Sequence, residues 1–371
     1  RLVNVKIAFL FKKDSHFKAV KSTALRLCAQ YKCEPVFIGI ESEYLPKNEI
    51  YTITHIDKED LASLYEYDYI VACLGGYLLN KVISTLRDTD IKVISIFPGI
   101  VSHYQLDAFI SRLNSDQVWL NSESDFKLYD AICKLFGYKN NSLLYGMSWL
   151  NLDVNPSKKN TLKDKEVIFF EQTEILSSIQ RKRRFSNILE KIILSNPDLK
   201  FKYKIRNNAT DNYFSTLRSR LNQFENVEVV EDLTYVDILQ AKYYLSLSSS
   251  ALIEGIAYGK HSYLLDKSLL DFDSKEFYKN SNIEMREFVL SNISEPMSSD
   301  WYRERISLPI TYVDLLSFYK NKNHIVFEKR SFNFIRSMII RLSFSYLKMV
   351  HLILNKPRIK AIQKSLEYLS T

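Results

Sequence analysis

Short, nearly unbroken apolar runs alternate along the first third of the chain with stretches whose apolar residues recur every three or four positions. Val5-Lys6-Ile7-Ala8-Phe9-Leu10-Phe11 predicts a strand, and residues 16–31 a helix. Residues 34–40, 69–74, 91–97 and 118–120 predict further strands, with a helix over residues 125–135. Strands that lack polar alternation and are separated by helices predict a parallel sheet covered on both faces. Residues 151–165 are polar, contain Pro156 and four lysines and show no periodicity, which marks a linker. The pattern then restarts. Strands are expected at 166–170, 200–205, 227–230, 243–247 and 261–265, with helices at 184–194 and 251–258. The fold class is therefore α/β, with two doubly wound halves facing a cleft. The expected domains are residues 1–150, residues 166–310 and a helical C-terminal segment of residues 311–371. In such sheets ligands bind beyond the carboxyl ends of the strands.

The helical segment, from about Val313, is apolar over residues 332–354 with basic punctuation. It either packs back on the first half or lies on an anionic membrane surface. Charge keeps both readings open. The chain of 371 residues carries a net +8, and the excess gathers between Lys320 and Lys360, where ten Lys and Arg residues face one acid, Glu328. A basic run confined to one end, without zinc-finger or RNP spacing, argues against nucleic acid as partner and for a membrane surface or an anionic polymer. At 46% hydrophobic residues the chain is too apolar for disorder, yet no run of ~18 apolar residues spans a bilayer. Cys28, Cys33, Cys73 and Cys133 fall inside apolar segments without metal-ligand spacing and read as reduced thiols. A cytoplasmic protein is expected, peripheral at the inner face of the membrane if the basic run docks there.

The sharpest local signal is Leu247-Ser248-Ser249-Ser250-Ala251-Leu252-Ile253-Glu254-Gly255. A strand ends in three hydroxyls and a helix starts at once, so the serines can cap the helix and, with its N-terminal amides, hold a phosphate. Glu254 then falls one turn inside, in place for ribose hydroxyls; a plain serine cap with a capping-box glutamate is the simpler alternative. Lys204 and Arg206 end one neighbouring strand and Gln172 follows another, so a cationic pair and a hydroxyl cluster should share one sheet edge and suit an anionic leaving group. In the first half the matching strand ends are Lys13-Asp14-Ser15-His16, Gly75-Gly76 and Pro98-Gly99, the last followed by His103, Asp107 and Arg112 at roughly helical spacing. His103 or Asp107 can act as a general base or stand as a solvated side chain. Asp88-Thr89-Asp90 precedes a strand and reads as a turn; Asp271-Phe272-Asp273 lies in a loop, and no metal or other cofactor is expected.

These segments together resemble the GT-B glycosyltransferases, whose two Rossmann-like domains bind acceptor on the first and donor nucleotide on the second. Asp14-Ser15, Phe97-Pro98-Gly99-Ile100, Phe170-Glu171-Gln172, Lys204-Ile205-Arg206, the Ser248 turn and Trp301-Tyr302 look more narrowly like bacterial capsule transferases. Among these, they resemble the sialyltransferase domains of the bifunctional meningococcal serogroup W and Y capsule polymerases. The resemblance implies inverting, metal-independent transfer of sialic acid from CMP-sialic acid to a hexose hydroxyl, the 6-hydroxyl, in capsular polysaccharide synthesis. It also implies a second glycosyltransferase domain in the same polypeptide, which would account for a chain that opens on Arg1. Asp14 or His103 would be the base. Gln172, Lys204, Arg206, Ser248, Ser249, Ser250 and Glu254 would bind the donor nucleotide, while Ser15, Gly75, Gly76, Pro98, Gly99, Asp107 and Arg112 would line the acceptor side. No histidine precedes a proline here, unlike in better-known bacterial sialyltransferases, and Ser307 is a further candidate for phosphate contact. CMP-Kdo or an NDP-hexose on the same scaffold, or a non-catalytic polysaccharide- or membrane-binding module, are the alternatives.

Overall fold

The computed structural model describes residues 5–45, 51–103, 105–150, 163–172, 175–176, 178–206, 212–233, 235–292 and 297–321. The basic stretch beyond residue 321 and residues 151–162 of the expected linker lie outside them. The chain divides into two units, Arg1–Asn151 with Ser307–Thr371, and Leu152–Ile306. The crossing back thus falls at 306/307 rather than after residue 310.

The first unit holds seven parallel strands: β1 (Ile7–Phe11), β2 (Val36–Ile40), β3 (Ile53–Ile56), β4 (Tyr69–Ala72), β5 (Lys92–Ser95), β6 (Gln117–Leu120) and β7 (Ser142–Leu144), in the order β3-β2-β1-β4-β5-β6-β7. Every residue of β1 and β4 is buried, as central strands covered on both faces require. Its helices are α1 (Asp14–Tyr31), α2 (Gly76–Thr85), α3 (Leu106–Ile110) and α4 (Glu123–Leu135). Phe17, Val20, Ala24 and Leu27 form the buried stripe of α1, which stops where Lys32 turns left-handed.

Residues 307–321 return to this unit. Gln30 and Tyr31 at the end of α1 bond the main chain of Val313, Tyr69 Oη donates to Leu315 O at 3.0 Å, and Lys320 Nζ reaches Asp116 at 3.4 Å. Over this stretch the expected helix is absent; a 3-10 turn at Leu315–Ser317 is the sole helical element among the described residues after α10 (Ser299–Arg305). The segment docks by backbone hydrogen bonds instead.

The second unit holds β8 (Lys163–Phe170), β9 (Lys200–Lys204), β10 (Val227–Val230), β11 (Ala241–Ser246) and β12 (His261–Leu264), parallel and ordered β10-β9-β8-β11-β12. Residues 163–165, expected in the linker, begin β8, because Ala241 pairs with Lys163 across an irregularity in register. Its helices are α5 (Ile179–Ser195), α6 (Asn212–Leu221), α7 (Tyr235–Gln240), α8 (Ser250–Ala257), α9 (Phe272–Phe277) and α10. Trp301 of α10 is core, buried against Tyr278 with its indole N–H on Phe277 O at 2.7 Å.

Helix α8 touches the sheet at backbone distance. A Cβ on Gly255 would stand 2.6 Å from Tyr244 Cδ2, with Ser262 Oγ closer still. Gly255→Ala should push α8 off β11 and β12, costing about 1–3 kcal/mol in chemical denaturation. A change within a few tenths would show that the helix can yield freely.

Candidate functional site

In the second unit the chain runs from β8 outward to β10, then returns to β11 on the opposite side of β8. That reversal makes the ends of β8 and β11 the switch point, where open α/β sheets hold ligands. Gln172 ties the two ends together. Its Oε1 accepts from Ser248 N at 2.5 Å and lies 3.0 Å from Ser246 Oγ, and its Nε2 donates to Ser248 Oγ at 3.4 Å. Ser249 is the N-cap of α8, its Oγ accepting from Ala251 N at 3.2 Å, and Ser250 is the first helical residue. The result is a fixed helix N-terminus flanked by serine hydroxyls, a ready anion seat. Glu254 lies one turn further in and is buried, with interactions of its own.

The cationic pair is divided. Lys204 Nζ donates to Glu231 O at 2.8 Å and to Ile205 O at 3.2 Å, bracing the ends of β9 and β10 rather than turning to the switch point. Burial holds its pKa below the ordinary lysine value. Arg206 is exposed, and its main-chain N–H donates to Glu171 Oε1 at 3.1 Å. Glu171 and Arg218 form a pair that the sequence does not announce. The Glu171 carboxylate is wholly buried and takes Arg218 Nε at 2.9 Å and Arg218 Nη2. One residue before Gln172, this fork fixes the loop that carries the glutamine.

In the first unit the switch point lies between β1 and β4. Asp14 opens α1, exposed, its carboxylate accepting from Ser15 N at 2.7 Å. Ser15 is exposed beside it, Gly75 caps α2, and Gly76 follows at φ +53°. Arg112 is not an open acceptor-side cation. It is buried, its guanidinium 4.0 Å over the Phe97 ring and bonded to Leu74 O (2.8 Å), Ile96 O (3.2 Å) and Ala108 O (2.5 Å). It bolts the ends of β4 and β5 together. Pro98-Gly99 is pinned through Gly99 O, which accepts from Asn121 Nδ2 at 3.1 Å. His103 and Arg112 share no helical face, since α3 spans only Leu106–Ile110; Asp107 belongs to that helix. His103 Nε2 lies 3.0 Å from Asp125 Oδ1, a pairing invisible at a separation of 22 residues. Ser307 belongs to this unit rather than to the second, and its carbonyl accepts from Met147 N at 2.9 Å.

His16 is the residue that sequence reasoning passed over. It sits in the first turn of α1, at the end of β1, with Nδ1 buried and without a hydrogen-bond partner. Burial lowers its pKa to about 4, helped by Arg112, Lys13 and Lys12 against the opposing charge of Asp14. The imidazole is therefore neutral at physiological pH. Its place in Lys13-Asp14-Ser15-His16, at the mouth of the first strand, was the available signal. Asp271 caps α9 through Ser274 N (2.8 Å), and no group of three metal-binding side chains occurs among the described residues.

Residues 39–271 match the model of a family described as "Putative glycosyltransferase (DUF6716)". The chain belongs to this family. No curated protein matches the DUF6716 chain in sequence. Among solved structures it is similar to Staphylococcus aureus MnaA with UDP, at 12% identity and TM-score 0.55, over 78% of this chain and 86% of that one. Similar too are UDP-GlcNAc 2-epimerases of Neisseria meningitidis bound to UDP-GlcNAc (11%, TM-score 0.53, 78% and 89% covered) and of Methanocaldococcus jannaschii (12%, 0.53, 76% and 88%). At such identities the likeness is one of fold, and the fold is GT-B: two α/β domains, each built on a parallel sheet. Among the described residues no helix is long and apolar enough to cross a membrane.

Proposed function

We propose that this glycosyltransferase moves sialic acid from CMP-sialic acid to a hexose 6-hydroxyl in capsular polysaccharide synthesis, with inversion and without a metal. The observation that carries the donor assignment is the Gln172 clip, which holds Ser248 and the capped N-terminus of α8 at the β8/β11 switch point. One helix N-terminus with hydroxyls suits the single phosphate of a departing CMP. The sugar identity rests on the sequence resemblance. His16 takes the proton of the acceptor hydroxyl. The hydroxyl oxygen bonds to the anomeric carbon as the bond from that carbon to the phosphate oxygen breaks, through an oxocarbenium-like state. The electron pair of the broken bond leaves on CMP, and the dipole of α8 and the serines stabilise its charge.

Acceptor-dependent release of CMP from CMP-sialic acid, in EDTA and with hexose-containing oligosaccharides, is the expected result. The structures solved with UDP and UDP-GlcNAc favour a second reading, a UDP-sugar donor. Release of UDP but not CMP would select it. Silence with every donor would indicate a binding module. Ser249→Ala should lower kcat by about 30- to 900-fold, the loss of one donor to the leaving charge. Full turnover by this variant would remove the serine turn from the mechanism. The same reading has the basic stretch after Lys320 hold the enzyme on anionic lipid beside a second transferase domain. Flotation with phosphatidylserine vesicles but not with neutral ones is expected.

A further inference from the structure

A basin of about 680 Å³ opens on the second unit between α5 and the segment after β12. It shares no residue with the Gln172–Ser248 turn. Its charged lining is Arg183, Arg184, Lys191 and Arg286 against Asp266, Glu284 and Glu287. Two of the three acids are already engaged. Asp266 is held by Arg184 at 2.9 Å, and Glu284 by Lys267, a residue outside the lining, at 3.0 Å. The basin is left with an excess of positive charge.

The placement of that charge runs against helix electrostatics. Arg181-Lys182-Arg183-Arg184 occupy the first two turns of α5, and no acid stands in the first turn. A helix N-terminus is the positive end of its dipole, so each of these cations raises the energy of the helix unless an anion sits nearby. Lys182 finds partial relief over the rings of Tyr213 and Phe214. Arg184 finds its anion in Asp266, and Arg183, exposed, faces the basin.

The rest of the lining indicates what kind of anion. The amides of Gln180 and Asn187 can serve both as donors and acceptors, as sugar hydroxyls require. Phe288 is 41% exposed and offers an apolar ring face, over which Lys191 Nζ stands at 5.7 Å. Guanidinium groups grip carboxylates in bidentate fashion. The volume falls within the ~300–1,000 Å³ range of sites that enclose compact ligands.

We infer that this basin binds a carboxylated oligosaccharide, the acidic chain that the enzyme extends. The choice of the enzyme's own product rests on the proposed function; the affinity for an acidic glycan does not. The test is calorimetry on the full chain with a short, size-fractionated sialic acid oligomer, against a neutral malto-oligosaccharide of equal length. Binding to the acidic oligomer alone, weakening with salt, is expected. The double variant Arg183→Gln, Lys191→Gln should weaken it by about tenfold or more. Its far-UV spectrum and its CMP release on a monosaccharide acceptor should stay at the wild-type level, while KM for a long acidic acceptor rises. No binding, equal binding of the neutral chain, or undiminished binding by the double variant would overturn the proposal, as would a single-stranded DNA oligomer binding more tightly than the glycan. Because binding is read without turnover, failure of CMP-sialic acid as donor would leave this result standing.

Discussion

Replacing His16 by alanine should lower kcat by about 10²–10⁴-fold, the usual contribution of a general base, while the KM for donor changes little. The imidazole stands at the switch point of the first sheet, on the first turn of α1, and it is already deprotonated at neutral pH. Its rivals are already paired. Asp14 is exposed and its carboxylate is used on Ser15 N, and His103 is engaged with Asp125. Asp14→Ala and His103→Ala should each cost far less than His16→Ala, and a reversed order would transfer the role. A second signature follows from pH. The folded protein takes a proton on His16 only near pH 4, whereas the unfolded chain does so near 6.5. Acid therefore favours the unfolded state. Stability should fall as pH drops below about 6.5 and lose about 3 kcal/mol from this group by pH 4, a slope that His16→Gln should remove. The acid limb of kcat should lie near the same low pH in the wild type. A limb centred at 6.5 or above would point to a different base.

How much of this was legible depended on how locally each feature is determined. The β11–α8 corner could be read because an apolar strand stops at three serines and a helical pattern begins at once, and β10 because Val227-Glu228-Val229-Val230 is bounded by polar residues. Strands β3 and β7 could not. At four and three residues, and only partly buried, they have the pattern of loops until neighbouring strands supply their partners. The site followed the same division. Ser249 as a cap is a property of its own helix, but the Gln172 clip joins positions 76 residues apart. The role of Arg112 depends on the carbonyls of Leu74 and Ile96, which only the folded sheet brings to it. Lys204 follows strand alternation as expected, yet its ammonium is captured by the carbonyl of Glu231 from the adjoining strand end. Cations near a sheet edge are first used to satisfy that edge, and pattern alone does not separate this use from ligand binding.

Gly146→Ala should destabilise the first unit by about 2–6 kcal/mol, the larger of the expected stability effects. Gly146 has φ +93°, where an L side chain is strained by about 1–3 kcal/mol. Its Cβ would also stand 2.5 Å from Leu308 C and 2.7 Å from Pro309 N, with Leu308 O closer still. These are backbone atoms, so no rotamer change relieves the overlap, and crowding adds about 1–3 kcal/mol. The neighbours on both sides are committed to the same segment: Met147 N donates to Ser307 O, and Ile310 N donates to Tyr145 O, each at 2.9 Å. Backing away would strain these bonds and the docking of residues 307–321. Gly99→Ala is the control, since a Cβ there meets nothing within 4 Å. It should be neutral to mildly stabilising, by under ~1 kcal/mol. Urea unfolding followed by tryptophan emission measures both, in a Trp301→Phe background that leaves the signal to Trp119 and Trp149 of the first unit. Equal midpoints for the two variants would mean that the returning segment does not press on Gly146. A large loss at Gly146 alone would show that the route by which the chain re-enters its first unit is set at this contact.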